Sequence, residues 1–488
     1  DVEVEKEVAR KLENFPLPES EWDLWRLDLR INATGVNLEK SLVDGAIEIS
    51  DHKTSELMTL AQELTGLDNP NSTAQLTKWL ATQGVETDNL RKDTVAEIIS
   101  ETDVIQVKQA LELRQELSKT SVKKYQAMAD AVCADGRVRG LLQFYGANRT
   151  GRWAGRLVQV QNLPRNYIST LDLARKLVIG KKISALEIIY GNVPDTLSQL
   201  IRTAFIPSEG NKLLISDFSA IEARVIAWLA GEQWRLNVFQ THGKIYEASA
   251  SQMFGVPIEL IKKGNPEYEL RQKGKVAELA LGYQGGSGAL VSMGALDMGL
   301  TEEELPDIVG RWRASNKRIV DLWYKLDRAA LTVLRTGKPV GLNKGIYIAR
   351  ETDIMQGLDF LTVKLPSGRK LYYAKPFLAE NKFGREAIHY YGINQTTRRW
   401  EKQSTYGGKL TENIVQAIAR DCLAVTLKRL DVKGYQTVMH IHDEVVLDVP
   451  KDKADLERVN AIMATPIEWA PGLPLNADGF VADYYQKD

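Results

Sequence analysis

A chain of 488 residues is too long for one hydrophobic core, so roughly two to four domains or subdomains are expected. Hydrophobic residues at 44% and charged residues at 26% fit a globular protein, and no apolar run is long enough to span a bilayer or serve as a secretory signal. The 63 basic and 64 acidic residues leave a net charge of −1, which removes bulk charge as an argument for a nucleic-acid partner without excluding a local basic groove. Two cysteines, Cys133 and Cys422, are too few for a disulfide framework or a zinc cluster. They read as small buried residues in a reducing, cytoplasmic setting.

Residues 1–15 read as an amphipathic helix. From Asp51 to Lys124 the pattern is strongly helical, broken at Asn69–Ser72, where Ser72 is a candidate cap for the next helix. Arg114, Lys119, Lys123 and Lys124 crowd one end of this arm, as a solvated face or a phosphate-contacting one. KLLISD at 212–217 reads as a buried strand ending on a carboxylate, followed at once by the helix EARVIAWLAGE with Gly231 as its stop. The pattern then stays helical from Gln233 to about Arg335. Short alternating runs such as FLTVKLPSGRKLYY occupy 340–390, with Pro366–Gly368 as a hairpin turn. A long helix is predicted over 409–430, and QTVMHIHDEVVLDV at 436–449 reads as two strands joined by a tight turn at His442–Glu444.

Three places carry chemistry. Asp217 ends an apolar strand, at a sheet edge where ligands often bind; an N-cap aspartate is the plain alternative. Asp443 sits in a His-Asp-Glu turn at the tip of an apolar hairpin, where Gly or Asn is usual. Two such carboxylates suit Mg²⁺, which takes a few carboxylates plus water and substrate phosphates, and two ions about 4 Å apart serve phosphoryl chemistry. A nuclease uses the same device. The third place is a helix face: Arg271, Lys275, Leu279 and Tyr283 recur every four residues in RQKGKVAELALGY. Two cations, an apolar group and an aromatic in a row match a nucleoside triphosphate laid along the helix. An ordinary amphipathic helix with its cations in water is the alternative. The nearby Gly282, Gly285, Gly286 and Gly288 lack the lysine placement of a phosphate-binding P-loop. His52, His242 and His389 read as structural.

Taken in order, five segments resemble the family A DNA polymerases, the group of bacterial DNA polymerase I. TGRWAGRLVQVQNLP (150–164) resembles the family's Thr-Gly-Arg stretch, and DFSAIEARVIAWLAGE (217–232) its motif A, with Phe218 and Ala220 where Tyr and Gln are common. RQKGKVAELALGYQGG resembles motif B, QAIARD at Gln416–Asp421 the helix before motif C, and HIHDEVVLDV motif C itself. The wording of ELALGYQGG and LPSGRKLYY is most like the phage and prophage branch.

The resemblance implies an α+β right-hand polymerase fold with an antiparallel-sheet palm, helical fingers and a helical thumb. The implied divisions are 21–50 and 131–232 for the first parts of the palm, 51–130 for the thumb, 233–420 for the fingers and 421–488 for the rest of the palm. Residues 1–20 would be the end of an exonuclease domain, with Asp1 a stranded metal ligand, so no 3′–5′ exonuclease activity is expected. The implied activity is template-directed addition of deoxyribonucleotides to a primer 3′-OH, with primer–template DNA and deoxynucleoside triphosphates as partners. Two Mg²⁺ ions, with Mn²⁺ as a substitute, would be held by Asp217, Asp443 and the Phe218 carbonyl. The implied setting is a monomer, with no membrane, in the cytoplasm of a bacterial cell or phage-infected host; accessory replication proteins stay unidentified.

By the same resemblance Arg271 and Lys275 hold the triphosphate, and Lys275 protonates the leaving pyrophosphate. Glu222 blocks a ribose 2′-OH, and Tyr283 supports that gate. Arg152 and Gln416 touch the minor groove, Asn162 faces the template, and His442 and Glu444 support the primer end. Leu279 departs from the family's Phe or Tyr, which implies strong rejection of dideoxynucleotides. Tyr246 stands where many members have a triphosphate-holding His. The Pro164–Ile201 stretch is longer than in the bacterial enzyme and has no assigned role. Glu222 argues against the rival of a single-subunit RNA polymerase, and retention of both aspartates argues against a non-catalytic DNA-binding factor.

Overall fold

The structure, a computed structural model, describes residues 1–119, 122–381 and 384–487. At its centre is a four-stranded antiparallel sheet. Its strands are β1 (Asn211–Phe218), β2 (Thr437–Ile441), β3 (Glu444–Pro450) and β4 (Ala477–Ala482). They lie in the order β2-β3-β1-β4. The apolar run that predicts β1 is explained by its place: β1 is an inner strand, and Leu213, Leu214 and Ile215 are buried alongside Val445, Val446 and Leu447 of β3. Runs buried on both faces lose the polar alternation of a half-exposed strand.

Helix α1 (Ile221–Ala230) leaves β1 after a two-residue link and stops at Gly231, whose left-handed φ of 69° makes the expected C-cap. Helices α2 (Ile245–Phe254) and α3 (Glu269–Leu281) pack together beyond it. Gly274 is what lets them touch. A Cβ there would lie 2.2 Å from the Tyr246 carbonyl oxygen, so any larger residue would push α3 off α2. Helix α4 (Gly407–Val432) packs against α1 and against Lys317–Thr336.

The helical arm is present. Lys40–Thr65 is one helix, and Ser72 caps Thr73–Thr82 by accepting from the Gln75 N–H, as the sequence suggests. Leu76, Leu80, Val95, Val107 and Leu111 form a small core of their own at the far part of this arm. The opening helix spans Val2–Lys11 and buries none of its residues. No described helix is long and apolar enough to cross a membrane.

Three expectations need correction. Within the expected fingers, 233–420, strand-like runs were read only over 340–390, yet residues 340–405 form a six-stranded antiparallel sheet. Its period-two, β-branched and aromatic runs extend past the one hairpin turn read from sequence, through Glu386–Ile393 and Trp400–Thr405. The division expected at 420–421 falls inside α4, which is unbroken from Gly407 to Val432. Cys422 is buried as expected, but Cys133 is exposed, because it lies in the tight connection where Gly136 N–H donates to its carbonyl. The Pro164–Ile201 stretch contains the helices Leu171–Ile179, Ile183–Tyr190 and Val193–Leu200, two of which pack on the Lys40–Thr65 helix.

Candidate active site

Backbone pairing brings the two predicted aspartates together. β3 sets Glu444 opposite Asp217, and β4 sets Asp478 opposite it on the other side. The Phe218 N–H donates to the Asp443 carbonyl at 3.2 Å, which ties the β2–β3 turn to the end of β1. That turn is strained. His442 sits at φ 57°, a left-handed conformation uncommon for a residue with a side chain and often found where function demands it.

The electrostatics ask for a cation. Burial pushes the Asp443 carboxyl up to about 8, and the Asp217 charge pushes it the same way, against Lys487 and Arg152. Asp217 Oδ1 is buried with no hydrogen-bond partner. Two clustered carboxylates, one with an unsatisfied oxygen, fit a divalent ion. Among the described residues no group of three or more His, Cys, Asp or Glu makes a closed metal cage. An ion held by Asp217 and Asp443 would keep most of its positions for water and phosphate, as Mg²⁺ prefers.

The predicted helix face points at the same place. Leu279 of α3 and Tyr283, which lies in the turn two residues past the helix end rather than on the helix as expected, line one cavity of about 330 Å³ together with Glu222, Tyr246 and Asp443. Glu222 is shared: one carboxylate oxygen accepts from Tyr283 Oη at 2.6 Å and the other from Arg152 at 2.7 Å. Burial holds the Tyr283 hydroxyl well above its usual range, and Glu222 adds to that, so Tyr283 stays a donor. Further along α3, Arg271 pairs with Glu247 at 2.8 Å and lies 5.5 Å from the Tyr246 ring centre. Lys275 is half-buried and forms no ion pair with a described residue, while Leu279 is exposed. Glu278, whose buried carboxylate also lines this cavity, bonds Arg235 and Trp312, which fixes how the helix is rotated.

The expected DNA-contact residues divide. Arg152 and Gln416 line one polar groove of about 480 Å³, with Arg149 and Lys409 beside them. Asn162 is exposed at the end of a short turn, Val160–Asn162. Glu444 reads differently from the expectation: it is only 2% exposed, and its carboxylate accepts from Tyr485 Oη at 2.8 Å, so it faces protein. Burial pushes its pKa up, and Lys487 and Tyr485 oppose this. His442 beside it keeps an exposed edge, while partial desolvation of its ring and the Arg152 charge lower its pKa.

Sequence reasoning missed Lys487, Tyr485, Arg202 and Glu247. The first three act through the pairing of β4 with β1 and through contacts far away in the chain, which leave no periodic signal. Glu247 had a signal: it follows Tyr246 directly, on a helix already under suspicion.

The match to the family model headed "DNA polymerase family A" extends over residues 43–320, more than half of the chain. The chain belongs to DNA polymerase family A. It is a DNA-directed DNA polymerase, and polymerases of this family are metal-dependent. A DNA polymerase of Bacillus phage SP02 is 59% identical over 489 positions, covering all of this chain and 74% of the phage protein. The thermostable DNA polymerase I of Thermus thermophilus is 27% identical over 295 positions, which are 59% of this chain and 29% of that protein. Against the solved polymerase domain of Pol1 from M. smegmatis, in complex with DNA primer–template and dNTP, the TM-score is 0.63 at 17% identity, covering 94% of this chain and 69% of that one. The polymerase fold expected from sequence is thereby borne out.

Proposed function

We propose that this polymerase extends a DNA primer at a two-metal site on Asp217, Asp443 and the Phe218 carbonyl, with the incoming deoxynucleotide laid along the Arg271–Tyr283 face of α3. The carrying observation is the shared cavity, in which Asp443 from the sheet meets Leu279 from α3 and Tyr283 from the turn after it. Bound Mg²⁺ would supply charge neutralisation at the reacting phosphate and a lowered pKa at the attacking primer oxygen.

The chain's own groups do the rest. Asp217 and Asp443 are set by main-chain pairing and need little reorganisation. Arg271 and Lys275 bind the triphosphate oxygens, and Lys275 is placed to give a proton to the departing pyrophosphate. Arg271 must exchange Glu247 for phosphate as it does so. Glu222, clamped by Tyr283 and Arg152, crowds the position of a ribose 2′-OH. Arg152 and Gln416, which line one groove, follow the minor groove of the primer-terminal pairs, while Asn162 faces the template and His442 supports the primer end. In this reading the central sheet with α1 and α4 is the palm, α2 and α3 belong to the fingers, and the 51–130 arm is the thumb. Affinity for primer–template DNA falls with salt, as phosphate contacts require.

Primer extension with defined nucleotides tests the reading. Asp443→Ala is expected to lose about 10³-fold in extension rate while still binding primer–template. Extension at the normal rate by that variant would refute the site. In the same assay Glu222→Ala is expected to admit ribonucleotides; unchanged rejection would remove the gate.

A further inference from the structure

Lys487 stands between the carboxylates of the site. Its Nζ lies 3.5 Å from Asp217 Oδ2 and 3.5 Å from Glu444 Oε2. It does not stand there by chance of a long side chain. Its backbone N–H donates to Asn166 Oδ1 at 3.1 Å, and Asn166 in turn donates to the Gln199 carbonyl. Two positions earlier, Tyr485 donates from its N–H to the Phe205 carbonyl at 2.8 Å and from its hydroxyl to Glu444. Arg202 donates to the Tyr485 hydroxyl at 2.7 Å and to the Pro164 carbonyl at 2.7 Å. Tyr484 donates to Asp172 at 3.0 Å, with the Arg175 guanidinium 4.4 Å from its ring centre. Residues 484–487 are thus stitched by four hydrogen bonds to residues 164–205, which include the Pro164–Ile201 stretch left without a role in the sequence.

We propose that Lys487 is a built-in counter-cation of the metal-binding carboxylates, held in place by the 164–205 stretch, and that a divalent ion entering at Asp217 must displace it. The inference rests on the metal site proposed above. Its physical basis is simple. One ammonium already compensates Asp217 and Glu444, and a divalent ion and an ammonium repel each other at such range. Lys487 is a positioning residue in this scheme: it sets the cost of metal entry and offsets part of the negative charge of the acidic corner until nucleotide brings its own metal. The long stretch at 164–205 then has a task, since it fixes the backbone from which the lysine reaches.

The test is a Mn²⁺ titration of the whole chain, without DNA or nucleotide, read by electron paramagnetic resonance of free Mn²⁺. Lys487→Gln is expected to bind Mn²⁺ about tenfold more tightly, the equivalent of about 1.4 kcal/mol. Asn166→Ala, which frees the tether but keeps the charge, is expected to fall between it and the parent. Lys487→Arg should restore parent-like affinity. In chelator, Lys487→Gln should also melt at a lower temperature, because Asp217 and Glu444 lose their partner. Unchanged or weaker Mn²⁺ binding by Lys487→Gln, in a variant whose circular dichroism matches the parent, would overturn the proposal. Asp443→Asn separates the two levels: if it too leaves Mn²⁺ binding unchanged, the metal site itself is wrong, whereas weaker binding there with no response at Lys487 rejects the counter-cation alone.

Discussion

At the sheet end of the site, Asp217 and Asp443 stand on adjoining backbone, held by ladder pairing and by the Phe218–Asp443 main-chain bond. At the helix end, Arg271, Lys275 and Leu279 share one face of a 13-residue helix, with Tyr283 in the turn just past its end, and the helix orientation depends on side-chain contacts such as Glu278 with Arg235 and Trp312. Asp217 has a buried, unsatisfied oxygen and the Asp443 carboxyl is pushed up by burial; the cations are half-exposed, and one of them is parked on Glu247. The contrast teaches where this enzyme keeps its fixed charge. The groups proposed to hold metal are positioned before substrate arrives, and the groups proposed to hold triphosphate are free to exchange partners when it does.

The largest effect that would break this contrast, after loss of Asp443 itself, is at Lys275. Lys275→Ala is expected to lower the chemical step by about 10²-fold while leaving binary DNA binding intact. Single-turnover extension checks it, and a change confined to DNA affinity would move Lys275 from the triphosphate to the duplex.

A smaller effect concerns pH and sharpens the sheet side. The Asp443 carboxyl is raised from 3.8 to about 8 in the folded chain, so folding takes up a proton between those values. Its contribution to stability is complete below about pH 3.8 and is lost as pH rises towards 8. In chelator, the parent should lose melting temperature between pH 5 and about 8.5 more steeply than Asp443→Asn does. Mn²⁺ should shrink that difference. Parallel pH profiles for the two proteins would show that the acidic corner is not strained.

The smallest expected effect tests the exposed middle of the helix face. Leu279→Tyr is expected to raise dideoxynucleotide incorporation relative to deoxynucleotide, because a phenol at this cavity position supplies a polar group where leucine has none. Competition assays check it, and an unchanged ratio would mean that residue 279 does not face the sugar.

Much of this was legible in the sequence because each part was local. Strand β1 ending on Asp217, the His442–Glu444 turn and the four-residue spacing from Arg271 to Leu279 on α3 are all short-range patterns, and each appears where its pattern sets it. What was not legible is long-range. That Glu444 turns into protein depends on Tyr485, and the Arg152 contact to Glu222 joins residues in separate elements. The six-stranded sheet at 340–405 was seen as alternating runs over 340–390 but not as far as Trp400–Thr405, where charged residues mix into the alternation. Cys133 was read by residue type, and its loop position decided otherwise.

Central to the account is that two acids from the sheet and two cations from α3 serve one nucleotide. A crystal of the chain with primer–template, a non-hydrolysable deoxynucleotide and Mn²⁺, measured at the manganese edge, tests this directly. The account expects anomalous peaks between Asp217 and Asp443, with the triphosphate running from those peaks to Lys275 and Arg271. Manganese bound elsewhere, or a triphosphate that leaves α3 untouched, would contradict it.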